Sequence, residues 1–522
     1  MKPVNTLLFT LGVLLLSKAA SAQHYANTCI PNTLVEQNIF IKKNADKTPP
    51  PTFESSKAKL PEPFWPERQN VIRCYWKAWE TAFSNLHGAT SENGFIKPFI
   101  DPAFNQHIFM WDTSFMVLFG RYGHHAFDFQ SSMDNFYVKQ EKDGYICREI
   151  SELNGDKLFE KFDVSSTGPN IMPWAEWEYF QNFHDMERLK NVFSPLLAYY
   201  QWFRDNRSWP DGSYYSSGWG CGMDNQPRLP AGYSGQFSTG FMSWIDTTLQ
   251  QIFAGKTLIA MAEKLNRQNE VKDIVTEVGF LTSYVQQHMW SDKTSFFYDR
   301  YRDGKLSDVK SIAAYWALLA GVVPDQHLAD FTAHLENPKE FARLHRVPTL
   351  SADDPGYSAD GGYWRGGVWA PTSYMVLRGL TQYKQDSLAF VIAKNHLDNV
   401  VQVFDQTGSL WENYAPDKVL GKDRKDLVGW TGLVPISVLF EYVFGLKPEV
   451  PENMITWDIR LTDEFGVKKY PFKENGLLDF WCAARKNNTD KPKIKIHSNI
   501  PVVIKLQWNG GSQILNIKPD KK

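Results

Sequence analysis

The rhythm of its connectors constrains this chain most. Twelve stretches carry apolar residues at helical spacing: 71–86, 111–122, 126–138, 173–182, 186–206, 243–265, 269–289, 310–320, 325–336, 369–383, 385–404 and 430–444. In the first, Ile72, Tyr75, Trp79, Phe83 and Leu86 share one face; in the sixth, Ile245, Leu249, Ile252, Ile259 and Ala262 do. The connections after odd-numbered stretches run roughly 20 to 36 residues. Those after even-numbered stretches run only about 1 to 4, short enough to join antiparallel neighbours. Antiparallel succession then sends every long loop to one end of the bundle. Six such hairpins closed in a ring make a mainly α fold, an (α/α)6 barrel whose six long loops wall a pit, and function is expected in that pit.

The ends of the chain follow other rules. After Phe444-Gly445 the period drops to two: Ile455, Trp457, Ile459 and Leu461 alternate, as do Ile504, Leu506 and Trp508 before an Asn509-Gly510-Gly511 turn. This predicts a small antiparallel β appendage over 448–522 behind a barrel spanning 63–447. Residues 23–62 are polar and Pro-rich, an extended lead-in. Residues 1–22 read as a signal peptide: Lys2, the apolar run Leu7 to Leu16, then Ala20-Ser21-Ala22 as a cleavage site. That run is too short to span a bilayer, so export to the periplasm or beyond is expected, without membrane insertion. Cys29, Cys74, Cys147, Cys221 and Cys482 are few and odd in number, so neither a disulfide framework nor a zinc site is implied. A net charge of -2 with interspersed signs leaves no footprint for nucleic acid. No cofactor and no catalytic metal is expected, and a structural Ca2+ stays open but is not indicated, since no acidic loop has Ca2+ ligand spacing. Oligomeric state is not legible.

Two carboxylates stand out in the loops. Asp224 lies in the third long loop, in SSGWGCGMDNQPRLP, where Gly218, Gly220 and Gly222 forbid regular structure. Glu412 lies in the sixth, in GSLWENYAPD, flanked by Trp411 and Tyr414. Three steps round a ring of six is half a turn, so the two should face each other across the pit. Acetal hydrolysis needs such a pair, one acid for the leaving oxygen and one base for water on the far side of the sugar. Inversion sets them roughly 6.5 to 9.5 Å apart. Trp219 and Trp411 would bury the carboxyls and raise their pKa.

The other loops are furnished to match. Trp111 and Asp112 stand at the mouth of the second helix, Arg148, Glu176 and Trp177 belong to the second loop, and Trp364, Arg365 and Trp369 to the fifth. Nineteen Trp and 22 Tyr supply flat faces on which sugar rings stack. Each has a plain alternative: Asp112 as a helix cap, Arg365 as half of an ion pair, Trp177 as core.

The ordered set WDTSF, DGYICRE, GWGCGMDNQPR, GGYWRGGVWAPTSY, LWENYAP and GWTGLVP resembles the (α/α)6 glycosidases of glycoside hydrolase family 63. That clan includes processing α-glucosidase I with its bacterial relatives, the bacterial mannosylglycerate hydrolases and, more distantly, the trehalases. The resemblance covers roughly Pro63 to Lys447. It implies that Asp224 is the general acid and Glu412 the general base of an inverting hydrolase. Trp111, Asp112, Trp364 and Arg365 would line the subsite of the non-reducing sugar, with Arg148, Trp177, Trp219, Asn225, Trp369, Trp411, Tyr414 and Trp430 as further substrate-binding residues. One departure is Trp219 to Cys221, where relatives often carry Glu-Ser-Gly, and both full trehalase signatures are absent. The expectation is an exo-acting α-glycosidase, α-glucosidase first and α-mannosidase second, with an oligosaccharide substrate. A glycan-binding protein without catalysis is the alternative of another class. Epimerases and lyases on similar barrels need His or Tyr proton-transfer pairs, and the histidines of the long loops, His87, His107 and His345, stand singly with no pair among them.

Overall fold

A computed structural model describes residues 30–520. The leader at 1–22 and Cys29 lie outside them. Every helical stretch forms helix in whole or in part: α1 (Gln69–Ser84), α2 (Met110–Gly120), α3 (Asp134–Val138), α4 (Met172–Phe183), α5 (Met186–Arg207), α6 (Ile245–Leu265), α7 (Lys272–His288), α8 (Trp316–Leu319), α9 (Asp325–Ala333), α10 (Ala370–Gln382), α11 (Asp386–Thr407) and the π-wound α12 (Val434–Val443). Two stretches are shorter than their periodicity suggests. The third begins as a 3-10 turn, Phe129–Met133, and the eighth as Ile312–Tyr315.

Even-numbered and odd-numbered helices differ in what they bury. All residues of α2 and of α12 are buried. Outer helix α7 instead buries one stripe, Ile274, Val278, Leu281, Tyr284 and Val285, and leaves its other face to water. Contacts run from α2 to α4, α4 to α6, α6 to α8 and α8 to α10. They continue from α10 to the turn Gly429–Leu433 that opens α12, and from that turn back to α2. Outside this cycle α1 packs on α12 and α11, α5 on α4 and α6, α7 on α6, and α11 on α10 and α12.

One buried charge network ties four of the inner helices. Arg121, just past α2, donates to Glu178 of α4 at 2.9 Å and to Glu441 of α12 at 2.6 Å. The Tyr122 and Tyr374 hydroxyls add bonds of 2.8 Å to Glu441, and Arg378 of α10 closes on Glu178. Charges this deep are tolerable because each carboxylate is paired and hydrogen-bonded.

The C-terminal strands form two four-stranded sheets. With β1 (Glu62–Phe64), β2 (Trp411–Tyr414), β3 (Gly421–Lys425), β4 (Leu446–Glu449), β5 (Met454–Asp458), β6 (Phe465–Phe472), β7 (Gly476–Cys482), β8 (Ile494–Ser498), β9 (Val502–Trp508) and β10 (Gly511–Ile517), the orders are β1-β6-β7-β8 and β4-β5-β9-β10. The appendage is not wholly antiparallel: β5 runs parallel to β9. Parallel neighbours need a long crossover, and residues 459–501, carrying β6 to β8, supply it. Its edge strand β1 is recruited from the lead-in, which also docks Phe40 and Leu60 in the core and sends Asn38 Nδ2 to the Tyr137 carbonyl at 2.9 Å. Tyr470 of β6 packs 5.7 Å from Tyr122, beyond the C-terminal end of α2. The appendage therefore covers the end of the ring remote from Trp111 and Asp112, which start α2 about 16 Å away. Among the described residues no helix is long and apolar enough to cross a membrane, and Cys74, Cys147, Cys221 and Cys482 are buried free thiols.

Candidate active site

Asp224 is held by its neighbours in sequence. A single helical turn, Gly218–Cys221, is capped by the Ser217 hydroxyl and stopped by Gly222 in the left-handed region. A side chain at Gly222 would press on the Trp111 indole at 3.2 Å, and one at Gly218 would lie 2.2 Å from the Gly235 carbonyl, so both positions require glycine. Past Asp224 the loop is bolted down. Asn225 Nδ2 donates to the Gly362 carbonyl at 3.0 Å while its Oδ1 accepts from the Trp364 N–H at 3.0 Å, joining the third long loop to the fifth. Gln226 bonds the Thr349 carbonyl and the Ser311 hydroxyl. Buried Arg228 forks onto Asp246, at the start of α6, and onto Asp299 of the fourth loop, with bonds of 2.6 to 2.8 Å. The polar residues of DNQPR are thus fixings for one carboxylate.

Glu412 sits on β2, paired with β3. Its Oε1 accepts from the Tyr363 hydroxyl at 3.2 Å and its Oε2 from the Arg424 N–H at 3.1 Å, while Trp430 Nε1 bonds its backbone carbonyl at 3.0 Å. Burial pushes its carboxyl up to about 7, against the pull of the Arg424 N–H. Burial likewise pushes Asp224 up to about 6, against the Arg148 cation. The Asp112 carboxyl is raised well above its ordinary range by burial, again opposed by Arg148, with the Glu412 charge adding to the rise.

A cavity of about 170 Å³ is lined by Phe104, Phe109, Trp111, Asp112, Arg148, Gly168, Pro169, Gly222, Asp224, Tyr363, Trp364 and Trp430. Five of the six long loops therefore meet in it. Trp111 Nε1 and Asp112 Oδ1 are buried with no partner in the protein, a donor and an acceptor for a ligand. Glu412 is behind Tyr363, whose hydroxyl pKa is raised by burial and then by Glu412, Asp224 and Asp112 together. Arg148 is steadied by the Trp219 carbonyl and lies 5.3 Å from the Phe159 ring.

The remaining expected residues stand off the cavity. Trp369 backs Trp364 in a parallel stack at 3.8 Å and donates to the Tyr363 carbonyl. Tyr414 is buried, its hydroxyl accepting from the Trp411 N–H, and Trp411 lies over Gly421. Trp219 packs between Phe159 and Phe237. Arg365 is exposed and caps the Gly356 carbonyl at 2.8 Å; Trp177, on α4, packs on Phe180; Glu176 is taken up by Arg188. His107 bonds Glu149. Tyr363 was not singled out by sequence reasoning. The signal lay in DGGYWRGG: Gly361, Gly362 and Tyr363 are successive left-handed residues, and only a constrained site holds a tyrosine at φ +63°. Phe104 and Phe109 were also missed, as ordinary aromatics of the first loop.

Among the described residues, His87, Asp101 and Glu152 could bring three ligand atoms within 4.8 Å of one another. Burial, and then the adjacent Asp101 carboxylate, push Glu152 up to about 9, and its Oε1 is buried with no hydrogen-bond partner among the described residues.

Comparison with known proteins extends this geometry. The profile of the mannosylglycerate hydrolase MGH1-like glycoside hydrolase domain matches residues 106–426. An uncharacterised protein of Borreliella burgdorferi is 23% identical over 367 residues, 68% of this chain and 75% of that one. The probable mannosyl-oligosaccharide glucosidase of Schizosaccharomyces pombe is 22% identical over 57% of this chain, which spans only 40% of the yeast protein. The crystal structure of the glycoside hydrolase family 63 mannosylglycerate hydrolase of Thermus thermophilus, in complex with glucose, aligns with a TM-score of 0.57 at 18% identity. It covers 69% of this chain and 98% of that one, and at this identity the likeness concerns the fold. The matched profile takes in more than half of the chain and both carboxylates: the chain belongs to the mannosylglycerate hydrolase MGH1-like glycoside hydrolase domain family, and it is a glycoside hydrolase.

Proposed function

We propose that this protein is an exported, exo-acting, inverting hydrolase on an (α/α)6 barrel. It removes one α-linked sugar, an α-glucoside first in expectation, from the non-reducing end of a di- or oligosaccharide. The carrying observation is that Asp224 borders two spaces, the cavity and a more open cleft that runs along Asn225 to Gln236. A sugar in the cavity presents its glycosidic oxygen to Asp224 and its leaving group to the cleft. The general acid belongs at that junction.

Glu412 suits the base. Its two donors, the Tyr363 hydroxyl and the Arg424 N–H, favour the ionised form, and each carboxylate oxygen keeps a lone pair for water. Water activated there attacks the anomeric carbon as Asp224 protonates the departing oxygen, which inverts the centre. In the free protein Glu412, at about 7, titrates above Asp224, at about 6, the reverse of these roles. A sugar filling the cavity strips water from Asp224 and raises it further, so complex formation favours the productive form. The cavity lies below the roughly 300 to 1,000 Å³ of pockets for drug-sized ligands, which suits one ring and hence exo action. Trp111 Nε1 and Asp112 Oδ1 are placed for sugar hydroxyls, and Trp364 and Trp430 offer ring faces.

The glucosidase relatives favour an α-glucoside; the matched family favours an α-mannoside such as mannosylglycerate as the second reading. Purified protein assayed on α-glucosyl disaccharides and on mannosylglycerate separates the two. Asp224→Asn and Glu412→Gln should each lower turnover by about 10²- to 10⁴-fold with binding retained. Unchanged hydrolysis in either variant removes that residue from its role, and binding without turnover in the unmodified protein would favour a glycan-binding function.

A further inference from the structure

We infer that the leaving group is a glycan several sugars long, gripped by an aromatic strip on the third long loop; this rests on the hydrolase reading above. The cleft that opens at Asp224 has a volume of about 350 Å³ and ends at Tyr233. The Tyr233 ring lies 6.0 Å from Phe241, edge to face, and Phe241 stacks on Trp209 at 6.3 Å and 25°. Phe241 and Trp209 in turn wall a second hollow of about 480 Å³ that also holds Asp211, Ser243, Arg300, Tyr301 and Arg302. From the catalytic acid outward, a cleft on the third loop, the Tyr233 to Phe241 ring contact and a hollow shared by the third and fourth loops follow one another.

The strip is not spare core. Tyr233 is 43% exposed and Phe241 49%. Phe241 is held outward by a left-handed backbone, φ +50°, a conformation that bulky residues avoid, with its N–H on the Thr239 hydroxyl at 3.2 Å. Trp209 is rigid, its Nε1 bonded to the Met242 carbonyl at 2.8 Å and its ring 4.4 Å from Tyr215. In the hollow Asp211 accepts from the Tyr284 hydroxyl at 2.8 Å and faces Arg300 at 3.8 Å, while Arg302, 5.8 Å from the Phe241 ring, adds a second cation. Flat apolar faces stack on pyranose rings, and a carboxylate beside a guanidinium offers acceptor and donors to hydroxyls. A run of rings and donors of this length suits a chain of sugars, whereas a small acid such as glycerate would not extend this far from Asp224.

The test measures kcat/KM against leaving-group length, for α-linked disaccharides and for tetrasaccharides with the same non-reducing end. In the unmodified protein kcat/KM should rise with length. Phe241→Ala and the Tyr233→Ala/Phe241→Ala pair should lose about tenfold on the tetrasaccharide and less than about twofold on the disaccharide. Calorimetric binding of the tetrasaccharide to Asp224→Asn should weaken by a similar factor when Phe241→Ala is added. Hydrolysis of disaccharides with no dependence on length overturns this inference while the hydrolase reading stands; no hydrolysis of any α-linked sugar overturns both. An unchanged length profile with a changed sedimentation coefficient in the variants overturns it too, by making the strip a contact between copies of the chain.

Discussion

Tyr363→Phe removes one hydroxyl from the Glu412 carboxylate and keeps the ring that lines the cavity. In the unmodified protein, with Asp224 at about 6 and Glu412 at about 7, the productive form has Asp224 protonated and Glu412 ionised. Treated as independent sites, they give a kcat/KM profile that peaks near pH 6.5, where about 6% of the free protein is productive, with limbs near pH 6 and pH 7. A hydrogen bond to a charged acceptor at 3.2 Å is worth about 1 kcal/mol, and its loss lifts Glu412 from about 7 to about 7.7. The alkaline limb then moves to about pH 7.7, the acid limb stays near pH 6, and the maximum falls about fourfold. The direction is diagnostic. Lost sugar contacts at Tyr363 scale the whole profile without moving its limbs, so the limbs report the ionisation alone. A stopped assay over pH 4.5 to 9 on one α-linked disaccharide resolves the change. Movement of the acid limb with a fixed alkaline limb would refute the order of ionisation, and no movement of either would refute the Tyr363 to Glu412 link.

Glu412→Gln should stabilise the fold in a pH-dependent way. A rise from 4.5 to about 7 corresponds to about 3 kcal/mol, and because the folded pKa is raised, the unmodified protein loses that stability as pH climbs from 4.5 through 7. Urea unfolding should show the two proteins alike at pH 4 and the variant more stable by up to about 3 kcal/mol at pH 8; equal stability at both pH values would contradict burial as the cause. Arg228→Met strands Asp246 and Asp299 without their cation and should cost about 3 to 5 kcal/mol, part of it recovered when both aspartates become asparagine. A loss below 1 kcal/mol in the same unfolding assay would show that the loop carrying Asp224 is held by other means.

The frame of this molecule was legible because helix period and connector length are local properties. Apolar spacing located the twelve helices and the alternation of tight turns and long loops arranged them; the glycines around Asp224 marked a loop, although Gly218 and Gly220 close one helical turn within it instead of forbidding helix. Side-chain direction was another matter. Trp177 and Arg365 have the composition of sugar-binding residues, yet Trp177 packs on Phe180 and Arg365 points to the Gly356 carbonyl. Tyr363 reads as one more aromatic until the backbone before it coils left-handed and aims its hydroxyl at Glu412. The parallel pairing of β5 with β9 was likewise hidden, since alternation fixes a strand's faces and not its partner.

The stereochemistry of the first product formed tests the pairing of Asp224 with Glu412 most directly. Proton NMR within the first minutes of hydrolysis of an α-linked disaccharide should show the released sugar as the β-anomer, followed by slow mutarotation. Fresh α-anomer would mean retention, and would contradict direct attack by a water that Glu412 activates.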